Sequence, residues 1–145
     1  MPFGQNPATT IGFVSHAGAD TWVAKQLAHA ISDCGATAFL DDAEIHVGAS
    51  FEDDILAFLA KADELVVLLT PWALGRPYVW AELGAAWGRR IPIVALLHGM
   101  TIAELQIRPE IPIFPKKRDL ISLNDVDVYF DQLCRRVHDS TMKKG

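Results

Sequence analysis

The segment RPYVWAELGAAW, Arg76 to Trp87, carries one acidic side chain, Glu82, among aromatic, alanine, glycine and leucine residues. A carboxylate with apolar neighbours loses hydration, and its field on a nearby positive charge is stronger than in water. If Tyr78 to Trp87 is helical, Val79, Leu83, Ala86 and Trp87 form the buried stripe. At about 100° per residue, Glu82 then lies on the margin of that stripe, on the side shared with Tyr78. From there it leans into a cleft or out to water. Geometry alone favours an ordinary glutamate at the rim.

The other polar groups that could join it follow short apolar runs. Ser15-His16-Ala17-Gly18-Ala19-Asp20 follows IGFVS, and Asp41-Asp42 follows TAFL. Thr70-Pro71-Trp72 follows ELVVLL, and His98-Gly99 follows IPIVALL. Several chemistries fail on these residues. A response-regulator receiver needs an aspartate ending the third strand and a lysine ending the fifth, where this chain has Thr70 and Ser122-Leu123-Asn124. Ser15 and Gly18 are too few for a flavodoxin phosphate loop, and neither G-x-G-x-x-G nor a P-loop occurs. His16, Asp41, Asp42 and His98 offer donor atoms, but strand-end spacing is not ligand geometry, so no metal is expected.

The elements that would position these residues are legible as apolar runs. IGFVS (Ile11–Ser15), TAFL (Thr37–Leu40), ELVVLLT (Glu64–Thr70), IPIVALLH (Ile91–His98) and LISL (Leu120–Leu123) read as strands, the third and fourth buried on both faces. Helical periodicity lies between them: Val23, Leu27, Ala30, Ile31 and Cys34; then Ile55, Phe58, Leu59 and Ala62, with Ser50 and Asp53 as a capping-box-like start. Val126, Phe130, Leu133, Cys134 and Val137 define a last helix with Asn124 or Asp125 as N-cap. Three prolines, Pro109, Pro112 and Pro115, leave room in Ile102–Pro115 for only a short helix. Alternating strands and helices predict an α/β, flavodoxin-like three-layer fold: a five-stranded parallel sheet of order 2-1-3-4-5 with helices on both faces. In such sheets ligands bind beyond the carboxyl ends of the strands, near the switch point between strands one and three.

Composition narrows the function classes. The chain has 145 residues, half of them hydrophobic, with 13 basic and 18 acidic side chains and a formal charge of −5. That suits one domain with a substantial core and argues against direct nucleic-acid binding. We expect a flexible lead-in at 1–8, a single domain at 9–140 and a tail at 141–145. The apolar runs are far shorter than the roughly 20 residues a membrane-spanning helix needs. Cys34 and Cys134 belong to no C-x-x-C pair and read as buried free thiols in a reducing compartment. A cytoplasmic protein without membrane contact is expected, alone or as part of a longer chain.

Four stretches in order resemble a Toll/interleukin-1 receptor/resistance-protein (TIR) domain of bacterial style, over nearly the whole chain. IGFVSHAGAD is similar to the first box. FLDDAEIHVGASFEDDI is similar to the acidic strand exit and the BB loop that follows it. LLTPWAL is similar to the T-P exit of strand three, and Tyr78-Val79-Trp80-Ala81-Glu82 to the family's aromatic-valine-x-x-glutamate step. The resemblance implies cleavage of NAD+ at the nicotinamide–ribose bond. The products would be nicotinamide and ADP-ribose or a cyclic isomer, in prokaryotic defence signalling activated by self-assembly. It makes Glu82 the catalytic residue and NAD+ a substrate, with no cofactor. Phe13, Ser15 and His16 would line the pocket. Asp41 and Asp42 would bond ribose or fix the loop, and Gly48 and Phe51 would let the loop move. Trp72 would stack on a base or fill core, and Arg76 would face the pyrophosphate beside Tyr78. The chain departs from many enzymatic members at Arg76, where serine or cysteine is usual, and at Tyr78, where tryptophan is usual. Partners implied are other TIR domains, through the BB loop (Asp42–Ser50), and a fused or separate sensor or effector domain. Two alternatives stay open: a non-enzymatic adaptor acting through TIR–TIR contacts, and a nucleoside deoxyribosyltransferase-like enzyme.

Overall fold

The computed structural model describes residues 10–40, 60–107 and 120–144. Five strands form one sheet: β1 (Ile11–Ser15), β2 (Thr37–Leu40), β3 (Glu64–Leu69), β4 (Ile93–Leu97) and β5 (Leu120–Ser122). Their order is β2-β1-β3-β4-β5, and every neighbouring pair is parallel. This is the expected flavodoxin-like α/β arrangement. The helices are α1 (Thr21–Asp33), α2 (Pro77–Gly88), the short α3 (Ile102–Gln106) and α4 (Val126–Lys144). The expected helix around Ile55 to Leu59, with its Ser50–Asp53 start, lies outside the described residues.

Period-two alternation along the strands divides the core. Phe13, Leu65, Val67, Leu69, Ala95 and Leu97 pack with Val79, Leu83 and Ala86 of α2 on one face. Val14, Val66, Leu68 and Leu96 pack with Ala24, Leu27 and Ile31 of α1 and Tyr129, Leu133 and Val137 of α4 on the other. All six residues of β3 are buried, as a strand covered on both faces requires.

A buried carboxylate lies within the second of these layers. Glu64 opens β3 pointing to the α4 face; its Oε2 accepts from the Tyr129 hydroxyl and its Oε1 from Arg136 at 2.8 Å. Glu64 is 3% exposed and Arg136 is 53% exposed, so the pair links interior to surface. Burial alone would lower the Arg136 guanidinium, but the hydrogen bond and charge of Glu64 leave it raised.

The two cysteines correct an expectation. They are not free thiols: Cys34, which caps the end of α1, is bonded to Cys134 of α4, with Cα atoms 4.6 Å apart. The partners are 100 residues apart in sequence, and it is the shared sheet face of α1 and α4 that brings them together. Gly35 follows at φ +94°, and a Cβ there would lie 3.2 Å from Val137 of α4, so glycine suits both the turn and the close approach. Among the described residues no helix is long and apolar enough to cross a membrane.

Burial first, then the Glu64 carboxylate, hold the Tyr129 phenol protonated far above the ordinary tyrosine range. The unfolded chain's tyrosine titrates near about pH 10. Above that pH the unfolded state sheds a proton that the folded state keeps, so stability falls as pH rises. Tyr129→Phe should lower stability at neutral pH by about 1–2 kcal/mol and flatten the alkaline decline. Denaturant titrations at neutral pH and above about pH 10 check this; an unchanged alkaline slope would contradict it.

Candidate functional site

The site grows from the end of β1. Alternation puts Phe13 and Ser15 on the face that receives α2, and Ser15 is held in register opposite Val67 of β3. Ser15 and the next residue, His16, are both buried. α2 begins after a short turn, with Arg76 in extended conformation as N-cap and Pro77 at the first helical position, where no amide donor is missed. Its buried residues are Val79, Glu82, Leu83 and Ala86, an i, i+3, i+4, i+7 stripe.

Glu82 keeps the expected place at the edge of that stripe, on the Tyr78 side, but it leans inward and is 0% exposed. Trp87, expected in the stripe, is 49% exposed. The helix is rolled so that a carboxylate faces inward and an indole faces outward, because the sheet offers the carboxylate a donor. The Ser15 hydroxyl donates to Glu82 Oε1. One helical turn earlier, the Tyr78 hydroxyl donates to the His16 carbonyl oxygen at 3.0 Å. Tyr78 and Glu82, at i and i+4 on one side of α2, thus bond to two consecutive residues of the β1 exit. The indole of Trp80 fixes the same helix to the preceding turn, donating to Leu74 O at 3.0 Å.

A second polar contact joins the neighbouring strand exits. Asp20, buried before α1, accepts from Thr70 Oγ1 at 2.5 Å, and that hydroxyl accepts from Ala73 N at 3.1 Å. It ties the segment after β1 to the segment after β3. Gly99, at φ +79°, closes the third exit: a Cβ there would sit 3.1 Å from Pro71 Cδ. The exits of β1, β3 and β4 therefore pack together at the carboxyl edge of the sheet, beside the switch point.

Of the residues singled out by sequence, Ser15, His16, Tyr78 and Glu82 meet here. Phe13 is buried in the same core cluster as Val79 and Leu83. Trp72 is 57% exposed, so it does not fill core, and Arg76 is exposed as well. Asp41, Asp42, Gly48 and Phe51 lie outside the described residues. Among the described residues no three His, Cys, Asp or Glu side chains assemble into a metal-binding group. The Asp20–Thr70 contact was missed in the sequence. Its signal was available: both are polar residues at strand exits that topology makes neighbours.

A carboxylate without exposed surface depends on its donors. Ser15→Ala should destabilise the fold by about 1–3 kcal/mol, and Tyr78→Phe by about 1 kcal/mol, measured by denaturant unfolding. A neutral Ser15→Ala would show that the contact contributes nothing.

Comparison with known proteins agrees with this architecture. The TIR domain family model matches residues 13–136. No curated protein matches the chain. Among solved structures, the TIR domain of the Toll-related receptor TRR-2 from Hydra magnipapillata superposes with a TM-score of 0.64 at 18% identity, covering 88% of this chain and 97% of that one. The RPS4 and RRS1 TIR domain heterodimer gives 0.51 at 16% identity, covering 91% and 97%. A diflavin flavoprotein A3 from Nostoc sp. gives 0.58 at 12% identity, covering 94% and 99%. At these identities the solved structures share the fold, and the family match extends over most of the sequence: the chain belongs to the TIR domain family.

Proposed function

We propose that this TIR domain cleaves NAD+ at the nicotinamide–ribose bond, with Glu82 as the catalytic carboxylate. The observation that carries the reading is the placement of Glu82 against the β1 exit, beside Ser15, His16 and Tyr78. The order β2-β1-β3-β4-β5 makes that edge the expected ligand position.

The chemistry asks little of the protein. The ribose C1′–nitrogen bond breaks with its electron pair going to nicotinamide, which departs neutral and needs no general acid. The ribose is left with oxocarbenium character. A carboxylate that accepts hydrogen bonds from the ribose hydroxyls stabilises that charge, and does so more strongly where water is scarce. Water then adds at C1′ and gives ADP-ribose with release of a proton; attack by an adenine nitrogen gives the cyclic isomer. Arg76, exposed at the start of α2, would meet the pyrophosphate, and exposed Trp72 would stack on a base. Asp41, Asp42, Gly48 and Phe51 keep their proposed roles at the ribose and in the BB loop, and self-association through Asp42–Ser50 would activate the enzyme in defence signalling.

One observation favours the adaptor reading: Glu82 has no exposed surface, as a purely structural carboxylate would. The two readings separate in one assay. Concentrated protein is incubated with NAD+ and nicotinamide is followed by chromatography. Release that falls at least about 100-fold in Glu82→Ala supports the enzyme. No release from self-associated protein, with association lost on substitution of Gly48 or Phe51, supports the adaptor.

A further inference from the structure

We propose that Asp20 and Thr70 are positioning residues for the ADP half of the substrate: their hydrogen bond fixes the β3–α2 turn that presents Trp72 and Arg76. The inference rests on the proposed function, which gives those two exposed side chains the base and the pyrophosphate, and it adds the contact that aims them. Asp20 stands immediately before α1, where an aspartate ordinarily accepts from the first amides of its own helix. Its side chain makes no such bond. It accepts instead from Thr70 Oγ1, 50 residues away in sequence, at 2.5 Å. Asp20 is 6% exposed and Thr70 is 0% exposed, so the bond lies beneath the surface that a ligand would meet.

The Thr70 hydroxyl is used twice. While it donates to Asp20, it accepts from Ala73 N at 3.1 Å, and Thr70 O accepts from Leu74 N at 3.2 Å. The turn continues with Gly75 N donating to Trp72 O and Arg76 N to Ala73 O, and Val79 N of α2 donates back to Arg76 O. The main chain that carries Trp72 and Arg76 is therefore held from its first residue onward, and that first residue is held by Asp20. Pro71 is backed from another side by Gly99 of the β4 exit, where a Cβ would lie 3.1 Å from Pro71 Cδ. Exposed side chains on a main chain fixed in this way meet a ligand with less ordering left to do, which lowers the cost of binding. Glu82 has its own ties to β1, through Ser15 and, one turn earlier on α2, through Tyr78. Loosening the Asp20–Thr70 contact thus acts on the ADP half and leaves the bond-breaking end in place.

The test is a split between KM and kcat for nicotinamide release from NAD+ by concentrated wild type, Thr70→Val, Asp20→Ala and Thr70→Ser. Thr70→Val keeps the branched shape and removes the hydroxyl. Asp20→Ala cuts the tie but leaves the turn its bond from Ala73 N, and serves if the valine variant fails to fold. Both are expected to raise KM about tenfold with kcat within about twofold of wild type. Thr70→Ser keeps the hydroxyl and is expected to match wild type. Tyr129→Phe, which weakens the fold at the opposite edge of the sheet, is expected to leave KM unchanged, so a general loss of stability does not imitate the result. Titration calorimetry with ADP, which carries the base and the pyrophosphate, is expected to show binding about tenfold weaker in the two disrupted variants. An unchanged KM in the folded variants, or a fall in kcat alone, overturns the inference and leaves the proposed function standing. No nicotinamide release by wild type overturns the proposed function, and the ADP titration then decides the inference: weaker binding by the variants supports it, and equal binding or none overturns it.

Discussion

A carboxylate taken wholly out of water must find its hydrogen bonds inside the protein, and Glu82 finds one on the first strand. Much of the architecture around it follows from that need. The hydroxyl of Ser15 is available only because β1 ends there and presents its odd-numbered residues to α2. The helix in turn must be rolled until Glu82 faces the sheet, which sends Trp87 outward. Tyr78, one turn earlier, then falls opposite the His16 carbonyl. Removing one partner of a buried polar contact costs more than the contact itself contributes, because the other partner is left in the interior.

The fold keeps its buried carboxylates at opposite edges of the sheet, with different partners. Glu64 stands at the start of β3 and faces α4, where a phenol and a half-exposed guanidinium meet it. Together with the Cys34–Cys134 bond, that contact fixes the α1 and α4 layer. Glu82 and Asp20 lie at the carboxyl edge and are met by the neutral hydroxyls of Ser15 and Thr70. A cation at the first edge anchors a helix. Hydroxyl donors at the second tie strand exits and α2 to one another.

Strand positions were largely legible in the sequence, because buried parallel strands are written as continuous β-branched and leucine runs. β1 and β2 have the expected limits. β4 is shorter than its apolar run, starting at Ile93; Pro92 has no amide donor, and its carbonyl oxygen accepts from Leu65 N ahead of the strand. The roll of α2 was not legible. Periodicity treats a glutamate as polar and a tryptophan as apolar, and it cannot see that a serine 67 residues earlier makes the glutamate's burial tolerable. The Tyr129–Glu64 contact and the disulfide were hidden for the same reason, being pairings across 65 and 100 residues. At the site, the resemblance picked out Ser15, His16, Tyr78 and Glu82, which the fold brings together. It also chose Trp72 and Arg76, whose exposure depends on a turn that sequence pattern does not specify.

The central claim is that Ser15 and Glu82 form one energetic unit in the core. A double-mutant cycle tests it directly, with unfolding free energies for wild type, Ser15→Ala, Glu82→Leu and the double variant. The account predicts a coupling of about 1–3 kcal/mol, with Ser15→Ala costly in wild type and close to neutral once Glu82 is leucine. An equal cost of Ser15→Ala in both backgrounds would contradict it.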